Sequence, residues 1–319
     1  MQIAVDFCQP FTLDHSNIRG RFTRLGPLVQ TIIGQHSYPP LANHLLAELI
    51  GLAVLLSSSL KYDGLFTLQT SSDGPISMLV VDVDSEGNVR ACLRVDEDRL
   101  NTLIAAEEGG EEALRGQVLK LMGNGHIAFT VDQGDEHERY QGIVSLEGKT
   151  LAECAEAYFK QSEQLESSFK IEVHSGETVA DWWVGALFLQ RLPVSASGDA
   201  ATPEEAEKVA EDWNRATILM NSATANEVID ISLSAHDLIW RLFHDEEPRV
   251  YEQANLQFKC RCSRQKIEGA LVTYPLDELL SMREDATGEV AVSCQFCNTR
   301  YAFNEADLRT LKADESQAS

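Results

Sequence analysis

Residues 76–96 read ISMLVVDVDSEGNVRACLRVD. They form a β-like run with turn residues in the middle and at its ends, so one strand folds back on another. The turn, Asp82-Val83-Asp84-Ser85-Glu86-Gly87-Asn88, starts like a calcium loop, with acids at positions one, three and five and glycine at six. Position twelve is Leu93, where such a loop needs a bidentate glutamate, so a hairpin turn is the better reading. Outward from this hairpin, IRGRFTRLG (18–26), LFTLQTSSDG (65–74), HIAFTVDQGD (126–135) and FKIEVHSGE (169–177) carry strand signals. PLANHLLAELIGLAVLL (40–56) and TLAECAEAYFKQSEQL (150–165) show helical spacing. Strands in hairpin order with helices in separate blocks predict an α+β class, with a mixed sheet-and-helix N-terminal core domain spanning 1–195.

DWWVGALFLQRLP (181–193) is the last apolar segment of that domain, and composition then changes abruptly to VSASGDAAT (194–202), a linker signature. Thr202-Pro203-Glu204-Glu205 follows, with a threonine N-cap, proline at the first helical position and acids in the first turn. A helix is expected there, with Ala206, Val209, Ala210, Trp213, Thr217 and Met220 along its apolar side. AHDLIWRLFHDEEP (235–248) adds Leu238, Ile239, Leu242 and Phe243. A helical linker of roughly 50 residues (196–248) has too little core to stand alone, so it should lie on the first domain and be metastable there. Residues 249–310 are expected to form a small C-terminal cysteine domain, and LKADESQAS (311–319) a flexible tail.

The chain has 319 residues, 44% of them hydrophobic, and a net charge of −24. Such a charge repels phosphate, which argues against nucleic acid or an anionic membrane as the main partner. The start, MQIAVDFCQP, has no basic region followed by an apolar stretch, so a cytoplasmic protein is expected. Residues 45–60 are apolar but carry Glu48 and end in serines, which reads as a core helix. With seven cysteines in a reducing compartment, metal binding or redox chemistry explains paired cysteines better than a disulfide framework.

Those pairs are FKCRCSRQ (258–265) and SCQFCNTRYAF (293–303), that is C-x-C with Cys260 and Cys262 and C-x-x-C with Cys294 and Cys297. Two close pairs joined by a loop suit a tetrahedral zinc ion, each pair bringing two thiolates from one turn. An iron–sulfur cluster is the alternative, but its patterns carry three or more cysteines in one run. Zinc-finger peptides gain on the order of 10 to 16 kcal/mol of apparent free energy from their metal, so a segment this small should unfold without it. Four thiolates leave no position for water, which argues against hydrolytic zinc. Zinc–sulfur bonds of about 2.3 Å hold sulfurs roughly 3.7 Å apart, whereas a disulfide needs about 2.05 Å. Metal and disulfide therefore exclude each other, and zinc keeps the sulfurs as the thiolates that oxidants attack.

PRVYEQANLQFKCRCSRQKIEGAL (248–271), DELLSM (277–282) and GEVAVSCQFCNTRYAFNEADL (288–308) resemble the C-terminal switch domain of the redox-regulated 33 kDa heat-shock holdase family. RGRFTRLG (19–26), TIIGQHSYPP (31–40), LLAELIGLAVLLSSSLKYDG (45–64), RYQGIVSLEG (139–148) and YFKQSEQ (158–164) extend the resemblance in family order over nearly the whole chain. The resemblance implies an ATP-independent chaperone, not an enzyme. It would be inactive when reduced and zinc-bound and would bind unfolding client proteins after oxidative stress with heat or hypochlorous acid. It further implies that Cys294 and Cys297 oxidise first, that Cys260 and Cys262 close as the linker opens, and that activated molecules form a homodimer. Trp213, Leu238, Ile239, Leu242 and Phe243 are the apolar side chains that linker opening would offer to clients. The rival readings are an enzyme with a merely structural zinc domain, which lacks a polar constellation, and a nucleic-acid module, for which KCRCSRQK (259–266) is the only basic cluster.

Other features carry less. Gly123-Asn124-Gly125-His126 reads as a helix stop, not a phosphate cradle. Cys8, Cys92 and Cys154 are isolated, and small buried hydrophobes are the expected role for the latter two. His36 and His44 have no nucleophile beside them and read as structural.

Overall fold

The protein is described by a computed structural model covering residues 5–134, 138–192, 202–284 and 286–318, the side chains of 313–318 excepted. Met1–Phe258 and Lys259–Ser319 form two compact units. The first begins with the hairpin β1 (Phe7–Leu13) and β2 (Ile18–Leu25), then α1 (Pro27–Gly34) and α2 (Pro40–Ser59). Strands β3 (Leu65–Ser72), β4 (Ile76–Asp84) and β5 (Asn88–Val95) follow, then α3 (Glu97–Ala106), α4 (Gly110–Leu114) and α5 (Val118–Met122). After β6 (Gly125–Asp132) and β7 (Tyr140–Ser145), α6 (Leu151–Tyr158) runs into a π-helical turn, Phe159–Glu163, and on to β8 (Ser167–His174) and β9 (Trp183–Arg191). The unit ends with α7 (Pro203–Asn221), α8 (Ala225–Ile229), α9 (Ala235–Phe243) and the short strands β10 (Pro248–Val250), β11 (Ala254–Asn255) and β12 (Gln257–Phe258). The second unit holds α10 (Arg264–Leu271), α11 (Leu276–Ser281), the hairpin β13 (Val290–Ser293) and β14 (Arg300–Phe303), and α12 (Glu305–Ala318).

Two six-stranded sheets organise the first unit, in the orders β10-β1-β2-β9-β8, with β11 also on β1, and β12-β5-β4-β3-β6-β7. All pairs are antiparallel except β12 with β5. The 76–96 hairpin forms as its pattern predicts. Gly87 takes φ +82°, and Asp84 Oδ1 accepts from the backbone N–H groups of Glu86 and Asn88. Asp82 faces Arg90 across the ladder at 2.6 Å, so the acids of the apparent calcium loop are spent on the turn and the ladder.

Between the sheets lies α2. It packs on β1, β2, β8 and β9 of one sheet and on β3, β4 and β5 of the other. A helix covered on both sides is apolar all round, and this one is long and apolar enough to cross a membrane while 89% of its most apolar window is buried inside the fold. The core-helix reading holds. β9 likewise serves two cores, sending Val184, Ala186 and Phe188 towards α2 and Leu187 and Leu189 to the opposite face. Its unbroken apolar run follows from that double burial.

On that opposite face, Phe7, Phe11, Leu13, Ile18, Phe22, Leu187 and Leu189 form a second core with the helices α7 to α9. Gly20 makes room for the Phe11 ring, which a Cβ would approach to 2.1 Å. The linker signature at 194–202 lies outside the described residues save Thr202, which caps α7 in a reciprocal capping box with Glu205. The expected apolar stripe of α7 is used only in part, which is a correction. Ala206 and Ala210 are exposed, Val209 half-buried, and only from Trp213 on do side chains join the core, with Ala216 and Met220 fully inside. Two methyl groups among Glu204, Glu205, Glu207, Lys208 and Glu211 remove too little apolar area to offset dehydrating those charges.

Residues 249–258, which the sequence groups with the cysteines, pair within the first unit: Val250 opposite Phe11, Ala254 opposite Cys8 and Phe258 opposite Val89. In the second unit, residues 311–318 continue α12 where a tail is expected, with Leu311 packed on a small core and the Lys312 ammonium donating to the Val272 carbonyl.

Candidate metal centre

Both cysteine pairs are placed by local backbone chemistry. Cys260 and Cys262 immediately precede α10, whose N-cap Ser263 accepts from the Lys266 N–H. Cys294 and Cys297 form the turn between β13 and β14. The Asn298 N–H donates to the Cys294 carbonyl at 2.8 Å and the Cys294 N–H to that of Thr299 at 3.0 Å. Asn298 takes φ +53° to close the turn, a conformation asparagine tolerates better than most residues.

These two turns bring all four Sγ atoms within 4.8 Å of one another. Cys260 and Cys294 are 3.7 Å apart and Cys262 and Cys297 are 3.4 Å apart, and all four are free thiols. Such separations suit about 3.7 Å edges of a tetrahedron around zinc and exceed a disulfide bond by far. The sequence-predicted ligand set is therefore gathered at one point, in an arrangement that can hold a metal ion. Cys297 is buried and the other three half-buried.

Crowding sets the ionisation of Cys262 and Cys297 apart. Burial, with the neighbouring thiols, pushes Cys262 up to about 12, against the Tyr301 hydroxyl that donates to its sulfur at 3.2 Å. Burial also raises Cys297, but the Thr299 hydroxyl and backbone N–H and the adjoining sulfurs outweigh it and bring this thiol down to about 7. A first thiolate is thus stabilised where a second is opposed, as expected of like charges awaiting a cation.

Around the cluster stand residues that cysteine spacing alone does not reveal. Arg264 lies 4.3 Å over the Phe303 ring and donates to the Ala302 carbonyl at 3.0 Å, tying α10 to β14. Thr299, Arg300 and Tyr301 belong to the quoted CNTRYAF stretch, but only the fold shows that Thr299 and Tyr301 address sulfur. The core here is Leu271, Leu279, Val290, Phe303 and Leu308.

The apolar residues expected to meet clients sit elsewhere. Leu238, Ile239, Leu242 and Phe243 on α9 are buried against the first sheet, and Trp213 on α7 is half-buried beside them. Cys8, Cys92 and Cys154 are buried in the first unit.

A family model described as Hsp33 protein matches residues 6–304. The chain is 35% identical over 308 residues to the 33 kDa chaperonin of Ectopseudomonas mendocina, spanning 97% of this chain and 95% of that protein. To the 33 kDa chaperonin of Caulobacter vibrioides it is 33% identical over 301 residues, 94% of this chain and 95% of that one. Its fold is similar to the crystal structure of the 33 kDa chaperonin, a heat shock protein 33 homolog, from Thermotoga maritima, with a TM-score of 0.77, 24% identity and 98% and 99% of the two chains covered. Mixed sheets and helices ending in a four-cysteine cluster thus define a chaperone class of known architecture. The chain belongs to the Hsp33 family.

Proposed function

We propose that the chain is a redox-regulated, ATP-independent holdase, held off by one zinc ion on Cys260, Cys262, Cys294 and Cys297. The observation that carries this reading is the gathering of those four sulfurs within 4.8 Å. Oxidation would close Cys294–Cys297 and Cys260–Cys262. Each pair gives two electrons to a peroxide, which leaves as two waters after taking up two protons, and the zinc loses its ligands. The second unit, from Lys259 on, has five buried apolar side chains in its core among the described residues, so losing the metal would unfold it.

Client binding would follow from exposure of apolar area in the first unit. With α7 to α9 in place, Leu238, Ile239, Leu242 and Phe243 are covered. If these helices lift off, they uncover both themselves and the sheet face of Phe7, Phe11, Leu13, Ile18, Phe22, Leu187 and Leu189, a patch of the kind that binds unfolding proteins. Residues 196–248 would then be the metastable linker between a core domain, 1–195, and the cysteine domain. The net charge of −24 would keep a loaded complex dispersed and disfavours nucleic acid and anionic membranes as partners. The active form would be a homodimer in the cytoplasm.

The test follows zinc release and suppression of aggregation of a thermally unfolding protein, before and after peroxide at elevated temperature. One equivalent of zinc should leave as activity appears, and a thiol reductant with zinc should reverse both. Zinc release with no gain of activity would reduce the cluster to a structural role.

A further inference from the structure

A cavity of about 340 Å³ opens between the two sheets of the first unit, where α2 ends. That volume lies in the lower part of the range of roughly 300 to 1,000 Å³ typical of small-molecule sites. Its floor is apolar: Leu56 from α2, Phe66 from β3, and Phe129 and Val131 from β6, all buried. Its polar groups come from opposite sheets. Tyr140 on β7 and Tyr158 on α6 both donate to Glu163 Oε1, and the π-helical turn carrying Glu163 forms part of the rim. Turns of this kind recur at functional sites.

On the other wall stands Arg19 of β2. Its Nε donates to Gln190 Oε1 at 2.8 Å and its Nη2 to the same oxygen. Gln190 is turned that way by its own Nε2, which donates to Ser167 Oγ at 2.9 Å. Among the described residues no carboxylate pairs with Arg19, although the chain has 50 acidic residues against 26 basic ones. Other arginines of the unit, Arg90, Arg191, Arg215, Arg241 and Arg249, each reach one. Arg21, on the same face of β2, donates to the Ser58 carbonyl in the last turn of α2, where a cation suits the helix dipole. Among the described residues Arg19 is left as a half-buried guanidinium bound only to a neutral amide, with the exposed Lys61 also on the cavity. A guanidinium with free donors matches a carboxylate through two parallel hydrogen bonds. Burial and the nearby Arg21 hold its pKa below the usual arginine value.

We propose that this cavity binds a small amphiphilic carboxylate, with the acid group on Arg19 and a short chain or single ring against Leu56, Phe66, Phe129 and Val131. Glu163 has its charge engaged by two phenol hydroxyls, and it repels rather than recruits the ligand's head group. The site belongs to the first unit and the cysteine cluster to the second, and the assignment stands or falls independently of the holdase reading.

Octanoate is the probe, titrated into the reduced full-length chain by calorimetry, with octylamine and octanol as comparators of equal chain length. One saturable octanoate site is expected, with octylamine at least ten-fold weaker. Arg19→Gln should weaken octanoate at least ten-fold and leave octanol unchanged. Transferred proton contacts from the octanoate methyl should reach the rings of Phe66 and Phe129. Absence of saturation in the millimolar range, equal affinity for octylamine, or an unchanged constant in the variant would overturn the assignment. Should Arg19→Gln fail to fold, the ring contacts in the unsubstituted protein decide: contacts at other aromatic residues refute the site.

Discussion

Glu48 and His44 stand one helical turn apart on α2 and pull stability in opposite directions. Glu48 is buried, and burial raises its carboxyl from 4.5 to about 7 despite hydrogen bonds from the N–H groups of Leu151 and Ala152 at the start of α6. His44 is lowered from 6.5 to about 4 by burial, with Arg115 adding to it, and its buried Nδ1 has no partner among the described residues. For Glu48 the folded pKa lies above the unfolded one, so its contribution is most favourable below 4.5 and is lost as pH rises to about 7. The charged form then costs about 3 kcal/mol. For His44 the folded value lies below the unfolded one, so stability is present above 6.5 and lost as pH falls towards 4. Glu48→Gln should therefore gain on the parent protein progressively between pH 4.5 and 7 and keep that gain at higher pH, leaving the opposite slope of His44 uncovered. Urea midpoints across pH 4 to 8 measure this, and a pH-independent difference would contradict it. The four cysteines were legible in the sequence because their spacing within each pair is local. Glu48 and Arg19 were not, because what defines them is a partner more than a hundred residues away.

At the scale of elements, the helices α7 to α9 are held on the first sheet by more than apolar contact. Arg24 of β2, 1% exposed, donates to the carbonyl of Val228, within α8, at 3.1 Å and to that of Leu233, in the loop after it, at 2.8 Å. Glu246, equally buried, accepts from Arg215 of α7 at 2.5 Å and from Ser16 in the β1–β2 turn. Removing one member of a buried polar set costs roughly 3 to 5 kcal/mol when a charge is stranded. Arg24→Met strands carbonyls rather than a charge and fills the space, so the loss should fall below that and loosen the helices selectively. Hydrogen exchange should accelerate across 203–243 with β3 to β6 unchanged, and the reduced protein should suppress aggregation without oxidant. Unchanged protection across α7 to α9 would show that these bonds are not what holds them. The amphipathic pattern of α9 was readable because four large apolar residues share one face, whereas α7 misled where its stripe consisted of alanines. β1 went unread because Pro10 and Gln9 break its alternation, and β10 to β12 because two or three residues carry no period.

For the whole molecule, stability is divided between two units of unequal means. The first has two extensive cores with α2 between sheets. The second has one small core and a cluster of sulfurs that repel one another once ionised. Its fold should therefore depend on metal while the two sheets around α2 do not, and zinc binding should release protons because thiols must ionise to ligate. Near pH 7.5 Cys297, lowered to about 7, is already largely ionised, while Cys262, raised to about 12, must give up its proton to the metal. Apparent zinc affinity should then rise steeply with pH, and calorimetry in buffers of different ionisation enthalpy should count more than one proton released per ion. Thermal scans of the reduced chain should show two transitions. Adding zinc should raise the one that covers Lys259–Ser319 and leave that of the two sheets around α2 in place, and a chelator should abolish the zinc-dependent one alone. A single transition that moves as a whole with zinc would mean that the two units fold as one, and that metal loss reaches the first unit directly rather than through release of its covering helices.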